Sequence, residues 1–181
     1  MTHNRLVKMR PHLEFSAIEL HHESALADYL SEFALWGETT IHGYFGNTDW
    51  GHAETVKRLA SWSKGHGNAG WVANTTYFLM KDGRILGNYN FRHELTESLK
   101  LCGGNCGYSV RPSERRKGYG TILLAHAKDF GRTLGLTGIL LTCNVENIGS
   151  SRVIERNGGV LEDIFHNEES GERFRRYWIT L

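Results

Sequence analysis

In residues 21–37 apolar side chains recur at helical spacing, with Leu26, Tyr29, Leu30 and Phe33 on one side and Gly37 as a stop. Residues 49–65 repeat the pattern with Val56, Leu59 and Ala60, so a second helix is expected. Before them, residues 6–20 have mixed polarity and supply a first strand. Between the two helices, residues 37–50 are glycine-rich and aromatic, with Tyr44, Phe45 and Trp50, and fit neither period. Loops of that kind often carry specificity. The period then changes. Within residues 71–95, two runs of strand-forming residues flank Lys81–Arg84, and Asp82–Gly83 signals a hairpin turn. "CGYSV" (106–110) reads as a short strand. Residues 118–135 read as a helix with Leu123, Ala127, Phe130 and Leu134 on one face, closed by Gly135. "TGILLTCNV" is a buried strand, 147–159 a short helix, and 160–181 a second hairpin turning at "EESGE".

The order is strand, two helices, hairpin, strand, helix, strand, helix, hairpin. Antiparallel pairs surround one strand–helix–strand crossover, so an α/β fold follows, with a mostly antiparallel sheet and a parallel centre. Length changes this picture little: 181 residues with no repeat or linker imply a single domain over 1–181. Charge removes some partners. With 21 basic and 20 acidic residues, the net charge of +1 gives no footprint for nucleic acid. The N-terminus lacks the apolar core of a signal peptide and no apolar run is long enough for a bilayer, so a cytoplasmic protein without a membrane partner is expected. Three cysteines, Cys102, Cys106 and Cys143, fit a reducing compartment. Ten histidines invite a search for metal ligands. No Cys or His pair follows Cys102 and Cys106 at zinc-finger spacing, and "HHES" lacks the second histidine of a zinc-protease helix, so no metal site is expected.

One segment stands out chemically. In "GYSVRPSERRKGYGTILLAHA", Arg115, Arg116 and Lys117 precede Gly118 and Gly120 at the mouth of a helix. A Walker phosphate loop needs its lysine after the glycines, and here it comes before. A dinucleotide fingerprint needs a third glycine where Leu123 stands, and no acidic residue closes the next strand. The remaining anion-binding form is Arg-x-x-Gly-x-Gly, in which successive backbone N–H groups face one anion at a helix N-terminus. The glycines permit close approach, and the helix dipole adds roughly half a positive charge. A pyrophosphate suits those donors; a charged turn that merely starts an amphipathic helix has the same spelling.

With "CGYSVRPSERRKGYG" and, about thirty residues on, "NVENIGSSRVIERNGG", the chain resembles the GCN5-related N-acetyltransferase (GNAT) superfamily. The second segment matches at Asn147, Ser150, Glu155, Arg156 and Gly158. "GWVANTTYFLMKDGRILGNYNFRHEL", "VIERNGGVLED" and "RRYWI" are similar to a branch of uncharacterised acetyltransferases. The resemblance implies a mixed, mostly antiparallel sheet with a parallel, splayed pair at its centre, flanked by helices. It also implies an acetyl-CoA-dependent N-acetyltransferase acting on a primary amine of a small molecule or peptide, by direct attack in a ternary complex. Ser109 and Val110 match the strand that offers free N–H groups to the acetyl and pantetheine arm, with Arg111 leading into the loop. Arg115, Arg116, Lys117, Gly118, Tyr119, Gly120 and Thr121 match the pyrophosphate loop, and Asn147 and Ser150 the second cofactor segment. The family admits a homodimer.

Besides donors for the thioester oxygen, two catalytic jobs follow from that implied reaction. For the base, His93 and Glu94 end the strand beside the central one, with Glu38 and His42 in the aromatic loop as further candidates. For the acid, the family's usual Tyr position is Ile154 here, which leaves Ser150 and Tyr108 as substitutes. Gly159 is a second departure, where relatives often carry Phe. The missing Tyr keeps open a noncatalytic acetyl-CoA-binding sensor, and a different acyl donor or an O-linked acceptor is a third reading.

Overall fold

The computed structural model describes residues 13–46 and 50–181. β1 (Leu13–Ser16) is the described part of the strand expected over 6–20. α1 (Glu23–Leu35) and α2 (His52–Trp62) are the two expected helices; position 49, at the expected start of the second, lies outside the described residues. β2 (Asn74–Lys81) and β3 (Arg84–Arg92) form the expected hairpin, whose turn puts Asp82 and Gly83 at φ 50° and 77°. A short helix, α3 (Glu97–Leu101), occupies what reads as a polar interval; the Thr96 hydroxyl starts it by accepting from the Leu99 N–H. Then come β4 (Cys106–Val110), α4 (Tyr119–Thr133), β5 (Gly138–Asn144), α5 (Ile148–Arg156), β6 (Val160–His166) and β7 (Arg173–Thr180). No helix among the described residues is long and apolar enough to cross a membrane.

The strands make two sheets rather than one, in the orders β1-β2-β3-β4 and β5-β7-β6. Every ladder among the described residues is antiparallel. The central pair expected from the element order is β4 and β5, and they share no ladder. The chain leading into β4 joins β5 chiefly at Asn105, beside a Gly103 N–H that donates to Thr142 Oγ1 at 2.9 Å. Asn105 donates its N–H to the Leu140 carbonyl at 2.7 Å, and its Oδ1 accepts the Leu140 N–H at 2.9 Å. Its carbonyl accepts from the Arg92 N–H and its Nδ2 donates to the Arg92 carbonyl. One amide side chain thus supplies the pairing that a strand residue would.

Each face of the first sheet buries one apolar cluster. Leu79, Tyr89, Phe91 and Cys106 pack under α4 with Leu123, Leu124 and Ala127, and the same cluster continues into β5, α5 and β7. Phe78, Met80 and Ile85 pack under α1 and α2 with Tyr29, Phe33, Leu59 and Trp62. The two-residue period of the strands sorts neighbours to opposite faces, which is why both runs of the hairpin read as nearly continuous apolar.

Arg111 fastens α1 to this sheet. Its side chain is 2% exposed; Nε donates to Glu32 Oε2 at 2.5 Å, Nη2 to Asp28 Oδ2 at 2.6 Å and Nη1 to the Ile85 carbonyl at 3.1 Å. The Arg111 side chain thus turns back to α1, because alternation along β4 sends it to that face, while its backbone leads into the turn before α4. Burial opposes ionisation of Glu32, but the Ser113 N–H and the Arg111 guanidinium outweigh it and hold its pKa at about 2. The folded value lies below the ordinary 4.5, so this stabilisation is complete above pH 4.5 and is lost as pH falls towards about 2. Glu32→Gln is expected to cost about 3 kcal/mol at neutral pH and to flatten the acid limb, as measured by urea unfolding between pH 2 and 7.

Candidate active site

β4 is the strand on which the site is built. Cys106, Tyr108 and Val110 send their side chains into the cluster beneath α4, while Arg111 faces α1. The backbone alternates as well. The Arg92 N–H bonds the Asn105 carbonyl and the Arg111 N–H bonds the Leu86 carbonyl, so residues 105, 107, 109 and 111 turn their peptide groups towards β3. The N–H groups of Tyr108 and Val110 face the other way, into the gap between the sheets, and meet no backbone carbonyl among the described residues. Val110 is placed as the sequence suggests. Ser109 is not: its N–H turns to β3 and Tyr108 takes its place, since adjacent strand residues point to opposite edges.

Past the end of β4, Pro112–Glu114 makes a tight turn and the chain enters α4 through two left-handed residues, Arg116 at φ 63° and Gly118 at φ 90°. A left-handed arginine costs roughly 1 kcal/mol or more, and such strain is characteristic of anion-binding nests. No side chain caps α4, so its first N–H groups remain open at the positive end of the dipole. The basic residues do less than their number suggests. Arg115 makes a two-pronged pair with Glu38, at 2.6 and 2.7 Å. Lys117 bonds Glu114 at 2.9 Å. Arg116 has no ionic partner among the described residues and is exposed. The turn thus offers backbone donors and one free cation. Gly120 serves packing: a Cβ there would stand 3.1 Å from Val153 and 3.7 Å from Val110, so its bareness lets α4 approach α5 and β4. A Cβ on Gly118 would meet nothing within 4 Å, so Gly118 supplies the conformation and the open approach. Tyr119 packs on the cluster under α4, and the Thr121 carbonyl accepts from Asn157.

Across the gap, the Asn147 side chain caps α5 by accepting the Ser150 N–H at 3.0 Å. Ser150 Oγ lies 2.8 Å from the Tyr108 hydroxyl. These two groups, which the sequence offers only as separate substitutes, therefore form one hydrogen-bonded pair spanning the gap. Burial pushes the Tyr108 phenol well above its ordinary pKa, so it stays protonated. The two departures at Ile154 and Gly159 are one feature: Ile154 is buried in the core, and a Cβ on Gly159 would come within 2.4 Å of its Cγ2.

None of the base candidates is hydrogen-bonded to the Tyr108–Ser150 pair among the described residues. His93 bonds Thr75 Oγ1 at 2.8 Å, and its ring is 5.9 Å from that of Phe130. Phe130 is about 16 Å along α4 from the turn, at 1.5 Å per residue. Burial also lowers the His93 pKa. Glu94 is exposed in the turn that follows. Glu38 is held by Arg115, whose hydrogen bonds lower its pKa. His42 is exposed, and its carbonyl accepts from Asn88 at 3.3 Å. His93→Ala is expected to leave kcat within about twofold and to cost about 1 kcal/mol of stability through the lost Thr75 bond, a split read by steady-state kinetics beside thermal melts.

A family model described as an acetyltransferase (GNAT) domain matches residues 14–160. No curated protein matches the chain by sequence. Among solved structures, the fold is similar to that of a Salmonella typhimurium acetyl transferase described as modifying the N-terminal serine of the 50S ribosomal protein L7/L12. That match has 17% identity and a TM-score of 0.66, covering 93% of this chain and 95% of the other. A ribosomal L7/L12 alpha-N-protein acetyltransferase in complex with coenzyme A gives 19% and 0.65, over 93% and 94% of the two chains. A Salmonella typhimurium protein solved with acetyl-CoA gives 12% and 0.61, over 93% and 94%.

Proposed function

Since the chain belongs to the GNAT acetyltransferase family, we propose that it transfers an acetyl group from acetyl-CoA to a primary amine of a small molecule or peptide, by direct attack with both substrates bound. The observation that carries this reading is a continuous track of open donors. It begins at the turn 116–120 and continues along β4 with the N–H groups of Val110 and Tyr108. The substrate supplies a thioester, an acyl group already activated towards amines. The residues fit it. Backbone N–H groups of the turn, with Arg116, hold the diphosphate, and Asn147 closes the other side. The Val110 and Tyr108 N–H groups receive the pantetheine arm and the thioester oxygen, where charge builds as the amine attacks. The Tyr108 hydroxyl, oriented by Ser150, donates to the departing sulfur. A thiol has a pKa near 8.5, below the raised phenol, so Tyr108 stabilises the thiolate by a hydrogen bond and does not surrender its proton.

Among the described residues no His, Asp or Glu side chain is hydrogen-bonded to Tyr108, Ser109 or Ser150. On this reading the amine loses its proton to water. The expected consequence is a kcat/KM that rises about tenfold per pH unit until the acceptor's own pKa, near 10.4 for a lysine-type amine. A plateau beginning near pH 6.5 would instead reveal an enzyme base. The ribosomal acceptor of two similar structures supports including peptide α-amines in the class. Mass spectrometry of an amine panel, with free-thiol release, tests the whole reading. Tight acetyl-CoA binding without turnover on any amine would replace it with the sensor reading, and an O-linked product or another acyl mass with the third.

A further inference from the structure

A cavity of about 280 Å³ opens on the face of the first sheet that carries α1 and α2. Phe45, Trp71, Asn90, Arg92, Thr96 and Leu99 line it. It lies at the Asn105 end of β4, as the bond between Arg92 and Asn105 shows, whereas the anion-binding turn is at the other end. A molecule laid along β4 from the turn would point its reactive end towards this cavity.

One group in the cavity lacks a hydrogen-bond partner and another lacks a counter-charge. Asn90 is fully buried; its Nδ2 donates to Asn74 Oδ1 at 2.7 Å and Thr76 Oγ1 at 3.0 Å, and its Oδ1 accepts from nothing. Buried amide oxygens are seldom left so, because the lost hydrogen bond costs about 1–3 kcal/mol. Arg92 has no carboxylate partner among the described residues. Its Nη1 bonds the carbonyls of Gly103 and Gly104 at 3.1 and 3.2 Å, and its guanidinium stands 5.6 Å from the Phe45 ring centre. The titratable groups that act on it are Cys106 and Cys102, and burial raises both thiols, keeping them neutral. A half-buried guanidinium without a counter-charge, two residues from an orphaned acceptor on the same face of one strand, is an unfinished polar pair. Phe45, Trp71, Val72 and Leu99 give the cavity an apolar side, with Phe45 and Trp71 in edge contact at 5.4 Å, and Thr96 and Ser98 add hydroxyls.

We infer that this cavity seats a carboxylate of the acceptor at Arg92, so that the amines acetylated are those that also carry an acid on an apolar body, with Asn90 Oδ1 accepting an N–H of the same molecule. The inference rests on the transfer reading above and names its substrate class. Free amino acids and short acidic peptides share this chemistry. Matched pairs separate them: phenylalanine against phenylalaninamide, and the dipeptide Gly-Glu against Gly-Gln. Thiol release should show at least one acid favoured over its amide twin by tenfold or more in kcat/KM. Arg92→Gln should bring that ratio near one, and Arg92→Lys should keep most of it. Acids no better than their amides, or a preference that survives Arg92→Gln, overturns the inference. Calorimetry on wild-type protein loaded with coenzyme A gives a readout independent of turnover and of any variant's folding. N-acetylphenylalanine and N-acetyl-Gly-Glu are each titrated against their amides. At least one acid should bind tenfold tighter than its twin, and equal or absent binding overturns the inference. If no amine is turned over yet an acid binds preferentially, it is the transfer reading that fails.

Discussion

Gly118→Asp is expected to fold normally and to weaken acetyl-CoA binding by roughly a hundredfold or more. A Cβ at this position meets nothing within 4 Å, so the core is untouched. The φ of 90° is one that Asp and Asn tolerate better than other L residues, at about 1 kcal/mol. A carboxylate placed about 5 Å from a diphosphate charge costs about 3 kcal/mol at an effective dielectric of 20, before counting its competition for the same N–H donors. Gly118→Asn is the control, with the same shape and no charge, and should lose less than tenfold. Calorimetric titration beside a thermal melt reads both quantities. Equal affinities for the Asp and Asn variants, with melts unchanged, would move the diphosphate away from this turn.

Tyr108→Phe is expected to lower kcat by about a hundredfold while changing acetyl-CoA affinity less than threefold. The backbone N–H that faces the gap is retained, so binding along β4 survives. What disappears is one donor aimed at a developing charge, and such donors are worth about 10²–10³ in kcat. Ser150→Ala should lower kcat less, because the phenol keeps its proton and loses only its orientation; its N–H still caps onto Asn147. A Tyr108→Phe enzyme with undiminished kcat on its best amine would remove the hydroxyl from the mechanism. Pre-steady-state thiol release separates that result from a slow product-release step.

Much of this architecture is legible in one dimension. Asp82–Gly83 announces the hairpin, and the one-sided spacing from Leu123 to Phe130 announces α4, because these signals are local. The division into two sheets is not local. It depends on β7 lying between β5 and β6, and on Asn105, which in the sequence is an ordinary polar residue after two glycines. The turn before α4 is legible as a candidate anion site from its spacing, yet the partners of its residues are not. Whether Arg115 is free depends on Glu38, 77 positions away. Gly120 reads as a phosphate glycine, and its packing against Val153 is hidden because Val153 belongs to a different element. Parity places one other group: the Ser109 N–H shares its edge with that of Arg111, so counting by twos turns it to β3. Arg92 and Asn90 carry no motif, and their significance comes from a missing counter-charge and a missing donor, which only three dimensions disclose.

Asn105 also has a mechanical meaning. The two sheets part like the legs of a pair of dividers from the end where Asn105 and Gly103 join them, with the Tyr108–Ser150 bond and the shared apolar cluster bracing them farther along. From that pivot to Val110 is about 17 Å of strand at 3.3 Å per residue, so a 5° change in angle displaces the far end by about 1.5 Å. Reacting atoms must be held to tolerances finer than that. Small perturbations at the pivot, remote from any reacting group, would then register as losses of catalytic alignment, and the width of the acyl slot would be tuned from its narrow end.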